Sequence, residues 1–271
     1  KSVDYGAFSR LINRQLSANV NALVVLGTTG EAATITEEER REIIKFCVKE
    51  VNGRIPLIVG SGSNCTATAV KFSREAEESG ADGLLVVTPY YNKCNDDGLY
   101  AHYSAVAKST SLPIIVYNVP TRTGFNVKPI VYRKLAEIDN VVAIKEANCC
   151  DEQLNGVLDN VKDILAVYCG SDDKFIDVLR RGGKGTISVA SNIIPSKIVD
   201  YISGFENYCE IGFYNEMVNV LQSDVNPIPL KYMVKLLFNE GYGLRLPLTE
   251  AKNEVKETIL KIYQKMAGKL K

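Results

Sequence analysis

The chain has 271 residues, 46% of them hydrophobic, and its 32 lysines and arginines cancel its 32 aspartates and glutamates. That composition is ordinary for a globular protein and predicts neither a nucleic-acid surface nor a polybasic membrane patch. A single histidine and no tryptophan argue against a histidine triad or a multi-histidine metal site.

In chain order, the apolar spacing first predicts a helix over residues 4–18, with Phe8, Leu11, Ile12 and Leu16 on one face and Asp4 as its cap. A strand over 21–26 follows, ending in Gly27-Thr28-Thr29-Gly30-Glu31. Thr36 and Glu39 form a capping box for a helix reaching about residue 51. The alternation then continues with strand 55–59, helix 66–79, strand 83–87, helix 96–109, strand 113–117 and helix 129–137. Strand 141–144, helix 152–161, strand 164–169, helix 172–180, strand 185–189 and helix 195–203 complete it.

These strands rarely alternate polar with apolar residues, and every crossover is helical. Such a pattern demands parallel strands buried on both faces by helices. The expected fold is an α/β (β/α)8 TIM barrel. Seven strands are counted, and the chain opens in a helix that normally follows a strand, so the first strand is expected upstream of Lys1. An open seven-stranded sheet is the other architecture the pattern allows. Three more helical patterns, at 208–221, 227–239 and 249–266, predict a C-terminal appendage. The expected division is a barrel over 1–204 and packed helices over 205–271.

The chemistry centres on Val141-Val142-Ala143-Ile144-Lys145-Glu146. A lysine at the C-terminal end of a buried strand stands where barrels keep their active sites. In a partly dry pocket a lysine can lose its proton near neutral pH and attack a carbonyl. A salt-bridged structural lysine and a phosphate or carboxylate binder are the competing readings. Tyr117 ends the preceding strand and is placed either to face Lys145 or to pack between strand and helix. Arg122, five residues on, is suited to clamping a carboxylate, or is an ordinary surface arginine. Thr28 and Thr29 put two hydroxyls and a glycine-rich turn at a strand end, for carboxylate binding, proton relay or simple turn chemistry. Tyr90 and Tyr91 read as packing or interface residues. Ile187 offers an apolar wall and backbone groups. Asp172 and Asp173 read as helix-capping acids, His102 as a surface or interface histidine, and Cys149-Cys150 lack further zinc ligands. No signal peptide is visible. The seven cysteines read as reduced thiols of a cytoplasmic protein.

Taken together, GTTGEAAT at 27–34, GSGSN at 60–64, TPYYNK at 88–93, YNVPTRTG at 117–124, IKEA at 144–147 and NPIPLK at 226–231 resemble the dihydrodipicolinate synthase family of pyruvate-dependent class I aldolases and lyases. The resemblance implies an eight-stranded barrel with C-terminal helices. It implies that Lys145 forms an imine with pyruvate, and that Tyr117 shuttles protons with Thr28 and Tyr91 in a hydroxyl relay. Tyr91 is then donated to a neighbouring subunit, which implies a homodimer or homotetramer. Arg122 is implied to hold the carboxylate of aspartate semialdehyde, Thr29 that of pyruvate, and the backbone near Ile187 to line the same pocket. No cofactor and no metal are implied, because the imine itself is the electron sink. N-acetylneuraminate lyases, keto-deoxy sugar acid aldolases and a catalytically inactive barrel are the alternatives; Arg122 favours a small carboxylated aldehyde. Ala32, Glu37, Arg40 and Thr68 depart from the residues that grip lysine in feedback-inhibited members, whereas Asn64 is retained, so weak or absent lysine inhibition is expected.

Overall fold

The computed structural model describes residues 2–207, 212–240 and 243–269. Helix α1 (Tyr5–Ser17) starts at Asp4, whose carboxylate accepts from the Ala7 N–H at 2.9 Å. Then come β1 (Leu23–Val25), α2 (Glu37–Val51), β2 (Leu57–Gly60), α3 (Thr66–Glu78), β3 (Gly83–Val87), α4 (Asp96–Ala107) and β4 (Ile114–Asn118). A single helical turn, α5 (Pro120–Thr123), precedes α6 (Pro129–Leu135), β5 (Val141–Glu146), α7 (Asp151–Val161), β6 (Ala166–Cys169), α8 (Phe175–Arg180), β7 (Gly185–Thr186) and α9 (Pro195–Ser203). The C-terminal helices are α10 (Gly212–Leu221), α11 (Ile228–Phe238) and α12 (Asn253–Lys269).

The seven strands are all parallel and stand in the order β1-β2-β3-β4-β5-β6-β7, each pairing with its neighbours in sequence. With helical crossovers and C-terminal helices, this is an open (β/α)8-like barrel with a helical appendage. Alternation along each strand creates two cores. Leu57, Val59, Leu84, Val86, Ile114, Val116, Ile144 and Val167 face the helices. Val24, Ile58, Leu85, Val87, Ile115 and Tyr117 face the barrel interior. Gly60 and Gly62 are needed for closeness rather than flexibility: a Cβ at either would collide with the backbone of Leu26 or Val87.

Helix α2 carries the expected capping box, the Thr36 hydroxyl accepting from the Glu39 N–H and the Glu39 carboxylate from the Thr36 N–H. Glu39 also pairs with Arg245 of the C-terminal region, and that guanidinium holds its carboxyl down to about 2. Buried Glu31 binds Lys231 and the Arg245 N–H, and Glu240 binds Arg10 and Arg14. These pairs tie the appendage to the barrel. No helix among the described residues is long and apolar enough to cross a membrane.

Several elements differ from the sequence expectation. Lys145 and Glu146 lie inside β5 rather than beyond it. Strand β7 stops at Thr186 rather than 189, because Asp172 captures the Val189 and Ala190 N–H groups, each at 2.9 Å, and bends the chain into a 3-10 turn. Asp172 thus caps that turn and not its own helix, which begins only at Phe175. Residues 208–211, the expected start of the first C-terminal helix, lie outside the described residues. His102 is 4% exposed rather than on the surface, with Nδ1 3.0 Å from the Thr66 hydroxyl.

Candidate active site

Period-two alternation decides which way the two charged residues of β5 point. In the β4–β5 ladder Tyr117 pairs with Lys145 and Asn118 with Glu146. Tyr117 faces the interior, so Lys145 does too, and its Nζ lies 4.4 Å from the Tyr117 ring centroid. Lys145 is 9% exposed, and no carboxylate among the described residues forms an ion pair with it. That geometry disfavours the salt-bridged reading.

Glu146 points the opposite way, into the helix layer, and is fully buried. One carboxylate oxygen accepts from Asn118 Nδ2 at 2.8 Å and the Asn148 N–H at 2.7 Å. The other accepts from the Tyr132 hydroxyl and Gln153 Nε2, both at 3.1 Å. Burial pushes the Glu146 carboxyl upward, and these donors oppose that shift. The network clamps the end of β5, and with it Lys145, to β4, α6 and α7.

Gly170 closes the other side of the lysine. A Cβ there would stand 3.1 Å from Lys145 Cε and 2.8 Å from Ala147 Cβ, so only glycine lets the lysine stem lie against this strand end. Beyond it, Thr121, Arg122, Gly170, Ser171, Asp172, Val189 and Asn226 are among the residues lining a cleft of about 380 Å³ between the strand ends and α10. Arg122 sits on α5 and donates to the Asn226 carbonyl at 3.2 Å. Asn226 Nδ2 in turn donates to the Thr29 hydroxyl at 3.0 Å. One residue of the appendage therefore joins two of the expected substrate contacts.

The remaining expected residues divide. Ile187 packs in the interior cluster that contains Tyr117. Its N–H is already given to the Cys169 carbonyl at 2.9 Å, so only its carbonyl is left to offer. The Thr28 carbonyl closes the turn by accepting from Glu31, but no hydrogen bond among the described residues joins its hydroxyl to Tyr117. Tyr91, at φ 72°, is 89% exposed and packs against little of its own chain.

Asp172, read from sequence only as a cap, belongs to the cleft. It is 7% exposed, and among the described residues its Oδ1 has no hydrogen-bond partner. Burial raises its carboxyl, opposed by Ser188, by the Ala190 and Val189 N–H groups, and by the charge of Lys145. Gly170 and Asn226 were also missed as site residues. Gly170 had a usable signal, a glycine directly after a strand; Asn226 had none beyond its place in the NPIPLK segment. Among the described residues, no group of three or more His, Cys, Asp or Glu could hold a metal ion.

Comparison with known proteins places this geometry in a family. The chain is 47% identical over 253 residues to a 4-hydroxy-tetrahydrodipicolinate synthase of Alkaliphilus oremlandii, covering 91% of this chain and 87% of that one. It is 45% identical over 271 residues to the synthase of Kosmotoga olearia, covering 97% and 92%. The crystal structure of dihydrodipicolinate synthase from Thermotoga maritima superposes with a TM-score of 0.94 at 39% identity, over 98% of this chain and 94% of that one. The Aquifex aeolicus enzyme superposes equally well at 37% identity, over 98% and 93%. The model of the dihydrodipicolinate synthetase family matches residues 1–266, and the chain belongs to that family.

Proposed function

We infer that the chain is a lyase that condenses pyruvate with L-aspartate 4-semialdehyde to 4-hydroxy-tetrahydrodipicolinate, a step toward diaminopimelate and lysine. The observation that carries the reading is the buried Lys145 amine over the Tyr117 ring, with no carboxylate ion pair among the described residues, in a chain 45–47% identical to synthases of that name.

Lys145 is the nucleophile. Its unprotonated amine adds to the pyruvate ketone, water leaves, and the imine accepts the electrons released when the methyl group loses a proton. The resulting enamine carbon attacks the aldehyde. Tyr117 moves protons in the carbinolamine and condensation steps, supported by Thr28 and by Tyr91 of a neighbouring copy. Attack of the product's own amine on the imine carbon then closes the ring and frees Lys145. Arg122 holds the aldehyde's carboxylate, which supplies orientation rather than proton transfer. Thr29 and the Ile187 carbonyl serve the pyruvate end.

The exposure of Tyr91 supports a homodimer or homotetramer in which that ring is covered. The free thiols among the described cysteines support a cytoplasmic setting. Residues 1–204 form the catalytic barrel and 205–271 the packed helices, a division supported by the position of all seven strands before residue 204.

Borohydride reduction in the presence of pyruvate tests the central step. The expected result is a stable adduct on the tryptic peptide containing Lys145, absent in Lys145→Ala and in Lys145→Arg. A coupled assay across several aldehydes is expected to rank aspartate semialdehyde first. Absence of the adduct, or a sugar aldehyde preferred over aspartate semialdehyde, rejects the reading.

A further inference from the structure

Beside the lysine, on the opposite face of the sheet, two thiols meet. Cys169 ends β6 and pairs in the ladder with Glu146. Cys149 lies in the short loop after β5, and its Sγ stands 3.6 Å from that of Cys169. The Cys149 thiol also donates to the Glu146 carbonyl at 3.3 Å, and that carbonyl accepts the Gly170 N–H at 2.7 Å. Cys169 is fully buried, whereas Cys149 is partly exposed. We propose that Cys149 and Cys169 form a peroxide-oxidisable dithiol whose closure to a disulfide slows the enzyme by moving the wall of the Lys145 pocket.

The chemistry balances with hydrogen peroxide as oxidant. The Cys149 thiolate attacks the peroxide oxygen, giving a sulfenic acid and hydroxide, which takes up the released proton to form water. The Cys169 sulfur then attacks Cys149 Sγ; the S–O bond breaks, the S–S bond forms, and a second water leaves. Two thiols are oxidised by two electrons and the peroxide is reduced to two waters. The shared hydrogen bond and burial raise the Cys169 thiol, so Cys169 holds its proton and the more accessible Cys149 is the first sulfur to be oxidised.

Closure shortens a 3.6 Å contact to about 2 Å. Cys169 is fixed by its ladder and its burial, so the loop carrying Cys149 and Ala147 does most of the moving. Ala147 and Lys145 Cε stand on either side of Gly170 so closely that a Cβ there would lie 2.8 Å from Ala147 Cβ and 3.1 Å from Lys145 Cε, leaving no room even for a methyl group. Motion of Ala147 is therefore transmitted to the lysine stem.

The test treats the purified full-length chain with hydrogen peroxide, then combines non-reducing tryptic mapping with turnover assays before and after dithiothreitol. The expected product joins the peptides 146–162 and 163–174 and has lost two hydrogens. Turnover falls several-fold and returns on reduction. Cys150→Ser behaves as the wild type. Cys149→Ser keeps basal turnover but forms no joined peptide and shows no reversible loss. Peptides that stay separate, a link that persists in Cys149→Ser, or a link that leaves turnover unchanged each overturns the proposal. The mass readout does not depend on the reaction assigned above, so failure of the one is distinguishable from failure of the other.

Discussion

Glu146→Gln isolates the clamp behind the lysine. The substitution keeps shape and volume but turns one acceptor oxygen into a donor. If the new NH2 faced Asn118 Nδ2 and the Asn148 N–H, two buried donors would lose their acceptor. It therefore turns toward Tyr132 and Gln153. The tyrosine hydroxyl can rotate and accept, but Gln153 Nε2 is already committed to the Val127 carbonyl at 2.9 Å and meets the new amide donor to donor. One unsatisfied buried donor costs about 1–3 kcal/mol. For a chain of this size that corresponds to a melting temperature lower by roughly 2–5 °C. Glu146→Ala strands all four donors and is expected to cost about twice as much or more.

The pH dependence has a definite sign. Glu146 is raised above its ordinary value of 4.5 in the fold. Its contribution is thus fully present below that value and is lost as pH rises through the folded one. The wild type's margin over Glu146→Gln is therefore largest at acid pH and narrows toward neutrality. Melting followed by circular dichroism from pH 4 to 8, variant against wild type, reads both quantities. Equal stability at every pH would refute the assigned donors, and a margin that widens with pH would refute the dominance of burial.

Tyr117→Phe removes the proposed proton carrier while keeping the packed ring, and kcat is expected to fall by about 10²–10⁴-fold with the melting temperature little changed; near-wild-type turnover would exclude the role. Gly170→Ala places a methyl 3.1 Å from Lys145 Cε and should cut borohydride trapping with pyruvate more than it cuts stability. His102 is lowered from 6.5 by burial, so stability is complete above 6.5 and declines as pH falls. Melting temperature between pH 7 and 5 should therefore drop further in the wild type than in His102→Gln. L-lysine at millimolar concentration should leave turnover unchanged: Arg40 is 4% exposed, bonded to the Gly60 carbonyl and stacked 4.3 Å from the Phe72 ring, while Glu37 is held by Lys71. Clear inhibition in a steady-state assay would contradict that reading.

What was legible in the sequence was local. The alternation of apolar runs with amphipathic segments marked all seven strands, and Thr36 with Glu39 marked the start of α2 to the residue. Lys145 stood out because an ammonium at the end of Val-Val-Ala-Ile has few structural uses. The misses share a different origin. The end of β7 is set by a carboxylate from another loop, Asp172, some seventeen residues upstream. His102 was placed by its helix pattern alone, but its partner Thr66 comes from a neighbouring helix. Asn226 reaches Thr29 across 197 positions, a distance at which no spacing rule operates.

That last contact has a practical consequence. A shortened protein ending at residue 204 would retain every strand, the lysine and the tyrosine, and would pass as a complete catalyst on inspection of its barrel alone. It would nevertheless lack Asn226, which tethers both Thr29 and Arg122. On the proposed assignment of Arg122 to the aldehyde's carboxylate, the placement of that guanidinium depends partly on a segment outside the strands, and engineering aimed at new aldehydes should begin there as much as among the strands.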